Sequence, residues 1–401
     1  MGWLGDSLLL FSDDRWLGAF ASGCCRLFGV GEVTLKFLSV RNRRGSVAQA
    51  STGSKTKART SQPREPLLID LALQGGGSHG AFSWGVLDRL MEEDWLIIEG
   101  ISGTSAGAMN AAVLASGFAK GGAEGARLSL EAFWRKVSEG ARFSPFQRSP
   151  LDVLMGRWSL DRSPMFLAAD MMSRVFSPYD LNPMGSNPLA GILSAIIDFE
   201  ALSKGPIKLF VTATNVHTGR GRVFRNPELT VDVLLASACL PSMFQAVEID
   251  GEKYWDGGYS GNPTMAPLIR ECASQDTLLV QINPISRDET PRSASDIISR
   301  LNEISFNAVL IKELRAMALL RKLDYVEDSE GARMAAMRVH RIASPVMNDL
   351  GYSSKLNAEW AFLTMLRDEG RRTADLFLQQ HGDDLGHRET TIDFEELLTG
   401  I

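Results

Sequence analysis

Three short runs could do chemistry together, and glycine dominates each of them. The first is Gly75-Gly76-Gly77-Ser78-His79-Gly80, which follows an apolar stretch and opens a helical one. Successive glycines allow left-handed backbone and close approach, so several N–H groups can converge on one anionic atom beside a helix N-terminus. The same letters satisfy the G-x-G-x-x-G dinucleotide fingerprint, with Glu99 about twenty residues further on. The second run is Gly103-Thr104-Ser105-Ala106-Gly107, a G-x-S-x-G pentapeptide between a strand-like run and the helical AMNAAVLA. Gly103 and Gly107 let the chain turn sharply and lift the Ser105 hydroxyl into the open at a helix N-terminus. The third is Asp256-Gly257-Gly258, where a carboxylate can project from a tight turn after a short strand-like stretch.

A serine nucleophile needs a base. Of the five histidines, His79 lies in the glycine loop, His217 in a polar turn, and His381 and His387 in a polar C-terminal stretch. His340, in MRVHRI, would complete the chain order Ser, Asp, His of α/β-hydrolases. Asp256 offers a different base. An exposed carboxylate with a pKa of about 3.9 is a poor one, but partial desolvation raises the pKa until the group can take the serine proton directly. The motifs alone leave both bases open.

In type and order the three runs resemble the patatin-like phospholipase family, whose pattern is a GGGxRG-type loop, then G-x-S-x-G, then D-G-G or D-G-A. The stretch Ala236-Ser237-Ala238-Cys239-Leu240-Pro241 and the later Asn262-Pro263 are similar to family segments around the aspartate. The resemblance covers roughly Leu67 to Ile285. It implies a three-layer α/β fold with a mostly parallel central sheet flanked by helices, and a Ser105–Asp256 dyad without a catalytic histidine. It further implies an oxyanion hole of Gly75, Gly76 and Gly77 backbone N–H groups, with Gly80, Gly103, Gly107, Gly257 and Gly258 supporting the turns. Ser105 would carry an acyl intermediate, and the substrates would be lipid acyl esters: phospholipids, lysophospholipids or acylglycerols. No cofactor and no metal is implied.

One position departs from the pattern. His79 stands where the family loop usually has Arg or Lys, so less positive charge would face the oxyanion or a substrate phosphate. An imidazole titrating near neutral pH would instead make activity pH-dependent. Two other functions compete with hydrolysis. One is a catalytically weak lipid-binding or scaffold protein on the same fold. The other is a dinucleotide-binding oxidoreductase built on Gly75–Gly80 and Glu99, which leaves Ser105 and Asp256 unexplained.

These residues require strands and helices in alternation. Leu67–Gln74, Leu96–Ser102, Lys208–Val216 and Thr277–Pro284 read as strands, with a helical stretch from about His79 to Glu93 and others between them. That alternation implies a mostly parallel sheet covered on both faces. It gives a catalytic domain over residues 66–290, preceded by an N-terminal segment (1–65) and followed by a mainly helical extension (291–401), with long helices expected over 294–323 and 354–380. Residues 41–65 are basic, have few large apolar side chains, and read as a flexible tether able to meet anionic lipid. Between 143 and 188 the alternation lapses into a Pro- and Met-rich insertion. There Met165, Phe166, Met172, Val175 and Phe176 fall at helical spacing. Such a stripe is usually core; its sharper reading is a cap that meets an acyl chain or a bilayer.

Composition narrows the remaining classes. The 401 residues are 44% hydrophobic and 22% charged, as in an ordinary folded chain. Residues 1–65 hold ten Lys/Arg against five Asp/Glu, so the other 32 and 43 leave the main body at net −11. An acidic body argues against nucleic acid as a partner, since phosphate contact needs clustered cations. The four cysteines form neither a disulfide framework nor a metal-ligand spacing, which suits a reducing, cytoplasmic location. Acidic residues interrupt the N-terminal apolar stretch, so no secretory signal is expected, and membrane contact would be peripheral. The uncharged window from Gly100 to Ala119 reads as strand end, turn and helix start rather than a membrane span. Nothing in the sequence fixes the oligomeric state.

Overall fold

The computed structural model describes residues 64–394 except 143, 145 and 324–328. The N-terminal segment and tether expected over 1–65 lie outside the described residues, apart from 64 and 65.

Short runs of β-branched and aliphatic residues supply the sheet. Its strands are β1 (Leu67–Leu73), β2 (Leu96–Gly103), β3 (Lys208–Asn215), β4 (Gly221–Arg225), β5 (Val247–Ile249), β6 (Glu252–Asp256), β7 (Asp276–Val280) and β8 (Arg338–Ile342). They lie in the order β5-β6-β3-β2-β1-β7-β8, with β4 also paired to β3. The core strands β3, β2, β1, β7 and β8 pair in parallel, whereas β4, β5 and β6 form an antiparallel edge. Strand β1 is buried from Ile69 onward and β7 throughout, as a central parallel strand covered on both faces must be. The four expected strands are present, with the last one shortened. After Val280 the chain leaves the sheet, and the Ile282 and Asn283 amides donate to the Gln74 side chain (3.0 and 2.9 Å).

Helices cover both faces, giving the expected three layers. On one side α1 (Gly80–Leu90), α2 (Ala106–Ala141, interrupted at Gly121 and Gly122) and the helix Trp360–His381 enclose Phe82, Trp84, Leu114, Phe133 and Phe362. On the other, the helix Ala294–Leu320 packs Leu310, Leu314 and Met317 against Phe210 and Leu279. Residues after 291 thus supply β8 and two of the flanking helices to this same sandwich. Gly100–Ala119 is strand end, turn and helix start, and among the described residues no helix is long and apolar enough to cross a membrane.

The insertion folds as short surface helices. Pro150–Leu154, Pro164–Ser173 and Pro178–Leu181 each begin with a Ser N-cap followed by Pro, a pairing that starts a helix without leaving an extra N–H unsatisfied. The core reading of the apolar stripe holds for Phe166 alone, which is buried against the Phe146 ring. Met165, Met172, Val175 and Phe176 are each 46% exposed or more, because this helix lies on the surface and only one edge of it meets protein.

Candidate active site

Ser105 sits between β2 and α2 with φ 54° and ψ −123°, a backbone region that residues other than glycine rarely enter. Such a conformation costs of the order of 1–3 kcal/mol and persists only where neighbours enforce it. Here the Ser105 N–H donates to Ser237 Oγ (2.9 Å), and the Ser237 hydroxyl donates to the Thr212 carbonyl on β3 (2.7 Å). Thr104 Oγ1 donates to the Gly261 carbonyl (2.7 Å), and the Gly107 N–H closes the turn on the Thr104 carbonyl (2.8 Å). Ser105 is buried but for 8% of its surface.

The glycine loop stands directly beside it. A Cβ on Gly75 would come within 2.6 Å of Ser105 Cβ, so any larger residue would push the loop off the serine. Gly77 has φ +58°, and a side chain there would strike the Lys355 carbonyl. The Gly75 N–H is already committed to Asn262 Oδ1 (2.6 Å). Of the three amides expected as an oxyanion hole, those of Gly76 and Gly77 therefore remain without an acceptor among the described residues. Gly80 packs α1 onto α2 at Ala106 and Trp134, and Gly103 fits against the Gly107 backbone.

Asp256 ends β6, with its backbone N–H on the Cys239 carbonyl (2.8 Å) and its carbonyl accepting from Thr214 Oγ1 (2.8 Å). Its Oδ1 accepts from the Gly258 N–H (2.7 Å), and the Ser105 side chain lies near enough to the same carboxylate to lower its pKa. Only 1% of Asp256 is exposed. Burial pushes its carboxyl up to about 7, while the Gly258 amide, the Ser105 hydroxyl and the Lys355 charge pull it back down. Gly257 and Gly258 form the tight turn that holds it.

The serine, the aspartate and the glycine loop all line one cavity of about 320 Å³. Its walls are largely apolar, among them Met109, Phe133, Leu189, Ile192 and Phe244, with Ser105, Asp256 and Lys355 among its polar lining groups. A pocket so lined suits an apolar ligand group held by a few polar contacts. A second cleft of about 460 Å³ shares Ala141 and Ala358 with it but is lined by charged groups such as Arg135, Glu139 and Glu359.

Sequence reasoning did not single out Lys355. It reaches the cavity from the loop before the helix Trp360–His381 and donates through Nζ to Asn283 Oδ1 (2.8 Å). Asn283 in turn donates to the Gly75 carbonyl (2.8 Å), and its N–H to Gln74 Oε1 (2.9 Å). No spacing rule links position 355 to the motifs; the one signal is a lone cation in the otherwise uncharged run GYSSKLNA.

Other candidates fall elsewhere. His79 is buried, its Nε2 paired with Ser354 Oγ at 2.8 Å, and burial together with the Lys355 charge holds it well below the usual imidazole range. The expectation of an imidazole titrating near neutral pH is thereby corrected: His79 is neutral there. His340 is fully buried on β8, with Nε2 on Asp276 Oδ1 and Nδ1 on Thr390 Oγ1, both at 3.0 Å, and lies outside the cavity. It is not the base of a triad with Ser105. Glu99 accepts from Lys208 Nζ (2.8 Å) and from the Ala273 and Ser274 amides (2.8 and 2.9 Å), so both of its oxygens are already engaged by the protein. Its donor atom lies within 4.8 Å of those of Asp70 and Cys272, a trio of metal-ligand types whose glutamate is fully engaged in this way.

The family model for patatin-like phospholipase matches residues 71–269. The uncharacterized NTE family protein Rv1063c of Mycobacterium tuberculosis is 26% identical over 246 residues, as is Mb1092c of Mycobacterium bovis. Each match covers 60% of this chain and 56% of the relative, so the chain aligns with little more than half of their length. Among solved structures, VipD from Legionella pneumophila is similar at 17% identity and a TM-score of 0.32, over 77% of this chain and 67% of that one. The ExoU–SpcU complex of the Pseudomonas aeruginosa type III secretion system is similar at 20% identity and a TM-score of 0.27, over 88% and 77%.

Proposed function

We propose that this chain, which belongs to the patatin-like phospholipase family, hydrolyses acyl esters of lipids with Ser105 as nucleophile and Asp256 as its base. One observation carries the reading: a strained serine and a buried aspartate with a raised pKa line one largely apolar cavity together with the glycine loop. Strain and desolvation at one site are costly to folding and are kept where they serve chemistry.

The steps follow from that geometry. Ser105 Oγ attacks the ester carbonyl carbon, its proton passes to Asp256, and the carbonyl electrons collect on oxygen. The Gly76 and Gly77 amides and the N-terminus of α2 face that developing charge, a contribution worth roughly 3–4 kcal/mol per well-placed donor. Collapse of the tetrahedral species expels the alcohol, which takes the proton back from Asp256 and leaves acyl-Ser105. Water then adds with Asp256 again as base, and collapse releases the fatty acid and restores the serine. Esters with a long acyl chain fit the apolar slot.

Access to such substrates points to a lipid surface. Leu154, Met171, Val175 and Met184 on the insertion are between 69% and 92% exposed, and flexible Met side chains suit a disordered hydrocarbon partner. In this reading the insertion rests peripherally on the lipid and delivers an acyl chain toward Leu189 and Ile192.

Hydrolysis of a p-nitrophenyl acyl ester by wild type, Ser105→Ala and Asp256→Asn tests the dyad. Both variants should fold and lose at least about 10³-fold in kcat/KM. Turnover that survives Ser105→Ala, or that never appears in wild type, transfers the function to non-catalytic lipid binding.

A further inference from the structure

We propose that Lys355 is a positioning residue of the reaction: its ammonium, tied to the glycine loop through Asn283, keeps Asp256 ionised before attack and balances the negative charge as it moves to the substrate oxygen. This inference rests on the dyad reading.

Three independent features of its placement carry it. First, Lys355 enters the same cavity as Ser105, Asp256 and Gly75–Gly77, and its backbone carbonyl abuts Gly77. Second, its Nζ donates to a neutral amide, that of Asn283 (2.8 Å), and among the described residues no carboxylate pairs with it within 4 Å. Lys355 is half-buried, and an ammonium drawn largely out of water without a paired anion is costly, a cost offset only if negative charge is nearby when it matters. Third, the Asn283 bond links it to Gly75 and Gln74, which fixes the cation relative to the loop amides rather than leaving it on a free tether.

The charges around it are consistent with this role. Asp256 and Glu303 attract it, and Arg287 repels it. Glu303 is itself engaged by Arg287 (2.5 Å) and Arg300 (3.2 Å), whereas Asp256, which lines the same cavity as the ammonium, has no cation within salt-bridge distance among the described residues. His79, neutral on Ser354, and Tyr352 on the cavity wall add no opposing charge at neutral pH. Burial lowers the ammonium to about 8, and its charge lowers Asp256 from where burial alone would put it. During attack the proton from Ser105 neutralises Asp256 and the substrate oxygen becomes negative. The net charge beside Lys355 is unchanged while its location moves toward the loop that Lys355 is tied to. A cation fixed beside that loop favours the transfer. The cation that the glycine loop lacks at His79 is in this way supplied from the far end of the chain.

The test is the pH dependence of kcat/KM for a neutral p-nitrophenyl ester with wild type, Lys355→Met and Lys355→Arg, each checked for folding. Wild type should lose activity below about 7, as Asp256 takes up a proton, and above about 8, as Lys355 gives one up. Lys355→Met should lower kcat by about 10²-fold with little change in KM, move the acid limb upward, and abolish the alkaline limb. Lys355→Arg should recover much of the rate and carry no alkaline limb, since guanidinium holds its proton to beyond about pH 12. A folded Lys355→Met protein with wild-type rate overturns the proposal. So does one that is slow but keeps the wild-type acid limb, the behaviour of a merely structural residue. Should Lys355→Met fail to fold, an alkaline limb persisting unchanged in Lys355→Arg overturns it equally. Loss of this inference alone leaves Ser105-dependent turnover intact, whereas failure of the dyad shows as wild-type turnover that is absent or insensitive to Ser105→Ala.

Discussion

Asp256 is where folding and chemistry pull in opposite directions. Its carboxyl, ordinarily near 3.8, is pushed to about 7 by burial, so near neutral pH the folded protein holds a charge that the interior disfavours. A group whose pKa is raised on folding contributes stability below its unfolded value and loses it as pH rises through the folded one. Asp256→Asn keeps an oxygen for the Gly258 amide and removes the charge. The variant should gain about 1–3 kcal/mol at pH 8, gain nothing near pH 3, and lose turnover at every pH. Thermal melts of wild type and variant at the two pH values check this; equal stability at pH 8 would mean that the carboxylate is solvated in the folded state. In the proposed dyad the raised pKa suits Asp256 to act as base, and the same burial makes its charge expensive to keep.

Strand β8 places a histidine where the chain order suggests a triad, yet the element it lies in directs it elsewhere. Parallel pairing with β7 puts His340 beside Leu278 and its ring on Asp276, which also binds Arg338 (3.0 and 2.5 Å) and the Gly386 amide (2.9 Å). These partners hold the Asp276 carboxyl far below the usual range despite its burial. His340→Ala should therefore cost about 2–4 kcal/mol, through the cavity and the weakened cluster, while kcat/KM per folded molecule stays within about twofold of wild type. Melting temperature and ester hydrolysis measured on one preparation separate the two effects, and a large loss of turnover in a well-folded variant would contradict the placement. The contrast shows what the sequence makes legible. The glycine loop, the serine elbow and the aspartate turn are local, because each motif contains both the reactive group and the backbone that orients it. So are β1, β2 and β3, whose apolar runs need no distant partner to be recognised. Asn283 meets Gly75 from 208 residues further along the chain, and Lys355 meets Gly77 from further still, and a lone polar side chain of this kind has no periodicity to reveal its partner. The exposed stripe at Met165–Phe176 was ambiguous for a related reason: helical spacing gives an apolar face but not what covers it.

At the scale of the molecule, the sheet brings the three motifs to one end, where β1, β2 and β6 terminate, and the insertion adds an apolar surface to the polypeptide near that end. An enzyme acting on a dissolved ester would gain nothing from leaving Leu154, Met171, Val175 and Met184 in water, since such exposure invites aggregation. An enzyme that takes acyl chains from a lipid surface would use them, because each apolar group entering the hydrocarbon boundary adds to binding in proportion to its area, about 25 cal/mol per Å². Met171 and Val175 lie at the end of one short helix and just beyond it, so charging both should disrupt that surface without touching the cavity wall. The double variant Met171→Glu, Val175→Glu should bind phosphatidylcholine vesicles at least tenfold more weakly, two buried carboxylates being costly at an interface. It should hydrolyse vesicle lipid correspondingly more slowly and leave turnover of a short, soluble ester unchanged. Cosedimentation with vesicles and the two assays run in parallel decide the matter. Equal vesicle binding by variant and wild type would assign this face to packing against protein, whereas loss of soluble-ester turnover would mean that the insertion shapes the cavity itself.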